Sequence, residues 1–226
     1  GTQKVEEQLV KLIPSVRCLR MDTDTTGGKT SHREILDAFS AGEADVLIGT
    51  QMVAKGLDIP NVTLVGVVFA DSTLFHSDYR SGERTFQLLT QVAGRAGRAD
   101  KEGSVVIQTN SPGHRAIRLT TTHDYKAFYR MEIEDRMHTL FPPFALFIRA
   151  LFCSENEQQA AEAASRFADG VAEKLLECLR PLDAENELIF AMPGSAPIRR
   201  RDGEYRYAVI IKLARTKHSA EAINAV

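Results

Sequence analysis

The sequence has no tryptophan and only three cysteines among its 226 residues. Cys18, Cys153 and Cys178 are odd in number and far apart, and they show neither metal-ligand spacing nor a matching pair of histidines. This excludes a small domain held by disulfides and a zinc module built from these cysteines. We therefore predict reduced thiols in a cytoplasmic protein, with no metal bound by this chain.

Long hydrophobic runs and a strong excess of one charge are also absent. No apolar run approaches the ~20 residues of a membrane span, and no signal peptide is visible, so the sequence predicts no membrane association. The formal net charge of −2 excludes a uniformly basic nucleic-acid-binding protein and confines any such site to a local patch. With 43% hydrophobic and 26% charged residues, the composition is that of one large or two small globular domains.

Strand-like and helix-like segments alternate along the first half of the chain. The apolar runs at 46–48 and 62–70 are near-continuous, as in strands covered on both faces, and the segments around them carry helical periodicity. This order predicts a parallel α/β sheet with a ligand site at the carboxyl ends of its strands.

After about Pro112 the texture changes. A charged helical stretch ends at the rigid break formed by residues 141–144, Phe-Pro-Pro-Phe. A strand, an Ala/Glu-rich helix with Phe167 among its inward residues, a strand, a Pro/Gly/Arg loop and a further strand follow. We predict three parts, namely an α/β lobe at 1–111, a helical connector at 112–144 and a smaller α/β (α+β) domain at 145–226.

The segment from Gln91 to Arg98 carries the strongest chemical signal. If it is helical, Gln91, Arg95 and Arg98 share one face, because they are spaced four and three apart. Gly94 and Gly97 would each cost about 1 kcal/mol inside a helix, which calls for a reason such as the close approach of a phosphate chain. The planar fork of arginine pairs bidentately with phosphate oxygens. The alternative is a solvated helix end at which glycine stops the helix.

The pattern Gln-x-x-Gly-Arg-x-Gly-Arg resembles the last conserved motif of superfamily 2 helicases. The longer runs from Glu83 to Arg98 and from Gly49 to Gly56 are more specific to one family than this short pattern is. They resemble the family of primosomal protein N′, the PriA replication-restart DNA helicases, and the resemblance extends to about Lys212. It implies a RecA-like second helicase lobe followed by a C-terminal domain. It also implies ATP-dependent, 3′-to-5′ DNA unwinding in replication restart and primosome assembly at stalled forks.

The resemblance assigns nucleotide contacts as well. Arg95 and Arg98 would stabilise the γ-phosphate of ATP, and Gln91 would orient the attacking water or that phosphate. Gly56 and Asp58 would reach the nucleotide ribose and couple it to the nucleic-acid site. The alternative for Asp58 is a cap in a polar loop between a strand and a helix.

Three further residues are predicted to contact a nucleic-acid backbone. Thr50 and Gln51 directly follow an apolar strand, where side chains and backbone N–H groups can meet phosphates. Thr2 opens a predicted helix whose first N–H groups can bind an anion. The resemblance assigns all three to the DNA strand, and the alternative for Thr2 is a helix cap.

Two stretches mimic phosphate-binding and Mg²⁺-binding motifs without completing them. The segment 27–30 reads Gly-Gly-Lys-Thr, but Thr23 stands where a P-loop requires its first glycine. Asp71 ends an apolar run without a second carboxylate beside it. We therefore predict that ATP and Mg²⁺ bind at a site completed by a preceding lobe, and that this chain alone is inactive. The resemblance also implies zinc in the longer protein, with no ligands in this chain.

One basic patch lies at 193–218, with seven basic residues against two acidic ones. Arginines interleaved with tyrosines can bind phosphate and stack on bases. The residues predicted to bind nucleic acid here are Arg199, Arg200, Arg201, Tyr205 and Arg206. The resemblance implies that this domain binds fork DNA and the acidic tail of single-stranded DNA-binding protein. The alternative is a solvated hairpin tip.

The predicted partners are branched and single-stranded DNA, the tail of single-stranded DNA-binding protein and other primosome proteins, with the chain itself a monomer. Two other functions stay open: a non-catalytic DNA- or protein-binding module, and the second lobe of another superfamily 2 helicase. Gly1 is not a start methionine, and Val226 falls inside a predicted helix. We therefore expect a fragment of a longer protein with a truncated C-terminal domain.

Overall fold

The computed structural model of the chain describes residues 1–22, 32–50, 62–75, 78–94, 96 and 103–226. These residues form two compact units, one at 1–128 and the other at 129–226. The predicted division into three parts, with a connector at 112–144, stays a prediction.

The first unit alternates short strands and helices. Its elements are α1 (Thr2–Leu12), β1 (Cys18–Met21), α2 (His32–Ser40), β2 (Val46–Gly49), β3 (Leu64–Val67), α3 (Asp71–Leu74), α4 (Ser81–Ala93), β4 (Ser104–Ile107) and α5 (Arg115–Thr121). The next helix, α6 (Tyr125–His138), begins in this unit and ends in the second. The alternation predicted from the apolar runs is confirmed.

The described strands of the first unit form two parallel pairs. β1 pairs with β2, so that Met21 lies opposite Gly49. β3 pairs with β4, so that Val67 lies opposite Ile107. Parallel strands need a crossover connection between them, as the predicted α/β lobe supplies. The carboxyl ends of each pair therefore lie at one edge.

One expectation about these strands is wrong. The run at 62–70 predicts a strand covered on both faces, but β3 has four residues, and its Leu64 side chain is largely exposed. Val106 of β4 is exposed too, whereas Val65 and Val67 are half-buried. The sequence run is continuous because both faces of the strand carry apolar side chains. In the part of the chain that the structure describes, other residues cover only one of these faces.

A small core of aromatic and aliphatic side chains fixes α4. Phe86 and Leu89 are buried, as their helical spacing predicts. Phe86 stacks on Phe128 with ring centroids 4.3 Å apart and 8° between the ring planes. Ala116 of α5 and Leu74 of α3 belong to the same cluster. Aromatic pairs add about 0.5–1.5 kcal/mol to the burial of their surface, so this core holds α4 in place.

The helical continuation past Gly94 is wrong for the described residues. α4 ends at Ala93, the Gly94 N–H donates to the Thr90 carbonyl at 3.1 Å, and Ala96 lies in a bend. Among the described residues, a Cβ atom on Gly94 would meet the carbonyl oxygens of Thr90 and Gln91, at an ordinary 3.7 Å. The helix therefore ends where the alternative interpretation places its end, whereas the close approach of a phosphate chain to Gly94 stays a prediction.

The second unit is an antiparallel sheet packed against a long helix. Its elements after α6 are β5 (Ala145–Ser154), α7 (Glu157–Leu179), β6 (Leu188–Arg201), β7 (Glu204–Ala214) and α8 (Lys217–Ala225). β7 is the central strand and pairs antiparallel with both β5 and β6. Helices on one face of an antiparallel sheet give the smaller α+β fold that the C-terminal part predicts.

The core of this unit lies between α7 and one face of the sheet. Ala164, Val171 and Leu175 of α7 are buried in one cluster with Val209 and Leu213 of β7. Within the described residues no helix, this 23-residue one included, is both long and apolar enough to cross a membrane.

The predicted inward position of Phe167 is wrong. This side chain is 40% exposed, and its ring contacts the ring of Phe152 with centroids 5.3 Å apart. Ala168, one position further along the helix, is buried instead. Three of the six buried residues of α7 are therefore alanines, and they lie in its first half, where small side chains let the helix lie close to the sheet.

The predicted Pro/Gly/Arg loop is also wrong, because β6 continues through it to Arg201. The chain then reverses at Asp202 and Gly203, whose φ values are 53° and 89°. An Asp-Gly pair favours this two-residue hairpin turn, which requires φ above zero at both positions. The basic patch is therefore a strand hairpin with defined side-chain directions.

Candidate nucleic-acid and nucleotide sites

The carboxyl-end edge of the β1–β2 pair brings together residues from separate segments. Met21 lies opposite Gly49 in this parallel pair, so Asp22 and Thr50 leave it at the same edge. Thr50 is exposed there, as a contact with a nucleic-acid backbone requires. The other residues predicted in this loop lie outside the described residues: Gln51, Gly56 and Asp58.

Thr2 reaches the same edge from the first turn of α1. Its hydroxyl donates to Asp22 Oδ2 at 2.5 Å. The interpretation of Thr2 as a helix cap is wrong, because α1 begins at Thr2, and its N-cap, Gly1, has no capping side chain. The first N–H groups of a helix lack intrahelical partners, which suits an anion. The contact of Thr2 with nucleic acid stays a prediction.

Sequence reasoning missed the two charged residues that hold this arrangement. Asp22 is 6% exposed. Arg20 Nε lies 3.1 Å from Asp22 Oδ2, at ion-pair distance but without hydrogen-bond geometry. Arg20 Nη1 lies 3.3 Å from Glu6 Oε2 on α1. An acid directly after an apolar strand, where parallel sheets place their ligand sites, was the available signal.

Gln91 is the one predicted nucleotide contact that falls within the described residues. It lies exposed on the last turn of α4, a helix fixed by the buried Phe86 and Leu89. A carboxamide can both donate and accept hydrogen bonds, so it can orient a water molecule or a phosphate. Arg95 and Arg98 lie outside the described residues, and their joint presentation with Gln91 stays a prediction.

Asp71 serves the fold. Its carboxylate is buried and accepts hydrogen bonds from Thr109 Oγ1 at 3.1 Å and from the Asn110 N–H at 3.0 Å. These bonds tie the segment after β4 to the start of α3 and account for the buried acid. Among the residues that the structure describes, no three His, Cys, Asp or Glu side chains are grouped closely enough to hold a metal ion.

The arginines of the β6–β7 hairpin differ in their contacts. Arg199 Nη2 and Nε lie 2.5 Å and 2.9 Å from the same Glu157 oxygen, Oε1, at the start of α7. Tyr207 donates to that oxygen at 3.1 Å. The hydrogen bond from Arg199, helped by that from Tyr207, holds the pKa of Glu157 below its usual range. Arg199 therefore fastens the hairpin to the helix.

The remaining hairpin residues match the predicted site better. The Arg200 guanidinium carbon lies 5.0 Å from the centroid of the Tyr205 ring. A guanidinium stacked in this way still presents N–H donors at its rim, to which phosphates bind. Among the described residues, Arg201 pairs with its exposed neighbour Asp202, at 3.2 Å, in a surface pair that contributes little. Arg206 is half-buried on β7.

Known proteins match this chain over both units. The helicase conserved C-terminal domain matches residues 1–100. The replication restart protein PriA of Bacillus subtilis is 49% identical over 212 residues, which cover 94% of this chain and 25% of that protein. The corresponding protein of Synechocystis is 43% identical over 212 residues, covering 94% and 24%. That of Treponema pallidum is 38% identical over 213 residues, covering 94% and 31%.

The alignments run well beyond the helicase domain, since they include more than twice its matched length. They therefore cover the second unit, with its basic hairpin, as well as the first. The chain spans about a quarter of the length of the first curated relatives it matches. It belongs to the PriA family of replication restart proteins, as the C-terminal portion of a superfamily 2 helicase.

Proposed function

We propose that this chain supplies the second motor lobe and the C-terminal domain of an ATP-dependent, 3′-to-5′ DNA helicase. The process would be replication restart and primosome assembly at stalled forks, in the cytoplasm. One observation carries the proposal: within a helicase C-terminal domain, the β1–β2 pair directs Thr50 and the start of α1 to one edge. In parallel α/β sheets this edge binds ligands.

In this proposal the edge grips one DNA strand by its phosphates. Thr50 is exposed there, Thr2 opens α1 beside Asp22, and Gln51 follows in the same loop. Hydroxyl, carboxamide and backbone N–H groups suit phosphate oxygens. Such contacts fix the position of a strand but read no sequence, as a helicase acting on any fork requires.

The nucleotide site would be completed by a preceding lobe. Gln91, on the exposed last turn of α4, would orient the attacking water or the γ-phosphate of ATP. Arg95 and Arg98 would stabilise the phosphate charge, and Gly56 and Asp58 would contact the ribose. The described residues supply no group of carboxylates for Mg²⁺, which we assign to that lobe together with the phosphate cradle. This chain alone is therefore expected to be inactive, and we assign the zinc of the longer protein to residues outside it.

The C-terminal unit would bind branched and single-stranded DNA through its hairpin. Arg200 stacked on Tyr205, with Arg201 and Arg206, provides cationic N–H donors beside an aromatic ring. The further partners proposed are the acidic tail of single-stranded DNA-binding protein and other primosome proteins. The chain itself would be monomeric.

A second candidate function is DNA binding without turnover by this chain. The hairpin favours this function. Among the described residues, Arg199 is the one predicted contact of the hairpin that pairs with an acid on another element, and the other four carry no such pair. Of the predicted nucleotide contacts, in comparison, only Gln91 is described. The two functions agree on DNA binding and differ on the role of the first unit. A test therefore has to address the edge of the β1–β2 pair directly.

The test compares two exposed threonines at opposite ends of strands. Thr50→Val removes a hydroxyl after the carboxyl end of β2, and Thr63→Val removes one before the amino end of β3. With fluorescent oligothymidine, the first variant should bind more weakly at every salt concentration with nearly the same log–log salt slope, because the lost hydroxyl carries no charge and displaces no counterion. The second should match the unaltered chain. Equal binding by all three proteins would exclude the proposed grip.

A further inference from the structure

We infer that Asp22 is a positioning residue, which holds the N-terminal end of α1 at the carboxyl-end edge of the β1–β2 pair. The inference rests on the DNA contact proposed for this edge. It assigns to Asp22 no contact with DNA. Its role is to direct the first turn of α1, and the donors of that turn, toward the strand that Thr50 faces.

Packing alone does not fix α1. None of its eleven residues is buried: Val5 and Leu9 are half-buried, and Leu12, which follows them on the same face of the helix, is 80% exposed. Fully burying one leucine contributes about 1.5–3 kcal/mol, and this helix buries no side chain to that extent. The half-buried Val5 and Leu9 hold α1 only in part, so its direction depends on polar contacts as well.

Two polar contacts, one helical turn apart, attach α1 to the end of β1. Thr2 donates to Asp22 Oδ2 at 2.5 Å, and Glu6 Oε2 lies 3.3 Å from Arg20 Nη1. Thr2 and Glu6 are four residues apart and share one face of the helix. Asp22 joins the two contacts, because its Oδ2 atom also lies 3.1 Å from Arg20 Nε.

The local charge favours Asp22 in this role. A carboxylate beside the first turn of a helix interacts favourably with the positive end of the helix dipole. The Thr2 hydroxyl donates to Asp22 and the Lys4 N–H donates to the Gly1 carbonyl at 3.1 Å, so among the hydrogen bonds described the backbone N–H groups of Thr2 and Gln3 are left for a phosphate. Lys4 lines a cleft at this end of α1 together with Thr2 and Asp22. Asp22 thus keeps these groups at the edge where Thr50 is exposed.

A positioning role and electrostatics alone predict opposite changes in DNA affinity when Asp22 is replaced. Asp22 is an acid close to a proposed phosphate contact, so electrostatics alone predicts that removing its charge strengthens DNA binding. If Asp22 positions α1, its removal weakens DNA binding although the chain becomes less negative. The sign of one substitution therefore separates the two explanations.

The experiment uses the full 226-residue chain and four variants. Asp22→Ala removes the acceptor, Asp22→Asn removes the charge but keeps an acceptor oxygen, and Thr2→Val removes the donor. Glu7→Gln is the matched control, since Glu7 lines the same cleft and accepts only from Gln3, its neighbour on α1, among the hydrogen bonds described. The readouts are oligothymidine affinity at several salt concentrations and amide hydrogen exchange of α1.

Asp22→Ala should weaken oligothymidine binding about fivefold to tenfold and accelerate exchange in α1, because the first turn no longer holds its donors at the edge. Thr2→Val should accelerate exchange in the same way. Asp22→Asn should keep most of the affinity, because its amide oxygen can still accept from Thr2. Glu7→Gln should bind equally or slightly more tightly, with unchanged exchange.

Tighter or unchanged binding by Asp22→Ala, or unchanged exchange in α1 for both Asp22→Ala and Thr2→Val, would overturn the inference. If Asp22→Ala does not fold, Thr2→Val and Asp22→Asn decide between the same outcomes. If the unaltered chain binds no oligothymidine, the proposed DNA grip fails by itself. Hydrogen exchange of α1 then still decides whether Asp22 positions the helix.

Discussion

Arg199 and Glu157 join the tip of the β6–β7 hairpin to the first turn of α7. Two guanidinium nitrogens of Arg199 lie 2.5 Å and 2.9 Å from one Glu157 oxygen. The sequence presents Arg199, Arg200 and Arg201 as one basic run. All three side chains are exposed, but in the structure Arg199 pairs with Glu157 of another element, Arg200 stacks on Tyr205, and Arg201 pairs with its neighbour Asp202.

The hairpin arginines should therefore differ in their effect on DNA binding. We predict that Arg200→Ala with Arg201→Ala weakens oligothymidine binding and flattens its salt slope by about 0.7 for each phosphate that the hairpin no longer binds. Arg199→Ala should leave the slope close to that of the unaltered chain. It should instead accelerate hydrogen exchange in β6, because that strand loses its own contact with Glu157 while Tyr207 of β7 keeps one. Fluorescence anisotropy at several salt concentrations and hydrogen exchange measure these effects.

An acidic peptide is the second ligand in this test. If the hairpin docks an acidic protein tail, the double variant should keep its DNA affinity and fail to bind an acidic C-terminal peptide, since arginine pairs with carboxylates as well as phosphates. A greater flattening of the salt slope for Arg199→Ala than for the double variant would contradict the division of roles. Unchanged binding of both ligands by every variant would leave only the solvated hairpin.

Lys212 should give the second unit a distinct dependence on alkaline pH. It lies on β7, is 7% exposed, and donates to the Thr139 carbonyl at 2.7 Å. Its ammonium lies 4.4 Å from the centroid of the Phe141 ring. Burial lowers the pKa of this lysine below its ordinary 10.5. Between the folded and unfolded pKa values the unfolded chain binds more protons, so the free energy of unfolding should rise with pH there.

Urea unfolding between neutral pH and pH 10.5 measures this rise. Lys212→Met keeps most of the apolar volume and should lack the rise, whereas Lys174→Met, at an exposed lysine of α7, should keep it. At neutral pH, Lys212→Ala should cost about 1–3 kcal/mol, because it opens a cavity and leaves the Thr139 carbonyl without its donor. Parallel pH profiles for the unaltered chain and Lys212→Met would show that burial of Lys212 has no such effect.

Local sequence patterns account for much of the fold. Helical spacing places Phe86 and Leu89 in the core, because residues three and four apart share a face. The end of α4 at Gly94 is also a local property, because glycine has a low helix propensity. The turn at Asp202 and Gly203 was also predictable, since that dipeptide is the strongest short signal for a hairpin. The prolines and arginines before it favour a loop, and this conflicting signal explains the wrong prediction there.

Such local patterns do not predict which residues distant in sequence contact each other. Thr2 and Asp22 are twenty residues apart, and Arg199 and Glu157 are forty-two apart. Spacing in sequence relates residues within one helix or strand, but it does not tell which charge meets which across elements. For this reason the sequence indicated the edge of the β1–β2 pair through Thr50, yet it missed Asp22 and Arg20, which attach α1 to that edge.

The nucleotide site yields the last prediction, which concerns the longer protein. Gln91 and Gln87 are both exposed on α4, one turn apart, and Gln87 donates to Glu83 at 3.2 Å. If Gln91 orients the attacking water or the γ-phosphate, Gln91→Ala should lower kcat of DNA-stimulated ATP hydrolysis while Gln87→Ala leaves it near normal. Arg98→Ala should lower kcat about 10³-fold or more with a small change in KM for ATP, because a contact formed mainly in the transition state affects turnover more than binding.

Arg95→Ala should behave like Arg98→Ala, with a larger decrease in ATP affinity. Steady-state ATP hydrolysis at saturating DNA gives kcat and KM, and binding of a non-hydrolysable ATP analogue separates affinity from turnover. Circular dichroism controls for folding, since α4 is held by the buried Phe86 and should survive changes on its exposed end. Near-normal turnover of both arginine variants would contradict the prediction and indicate a structural role for the two arginines. Equal decreases in kcat for Gln91→Ala and Gln87→Ala would assign the effect to the helix as a whole, because only Gln91 is expected to meet the nucleotide.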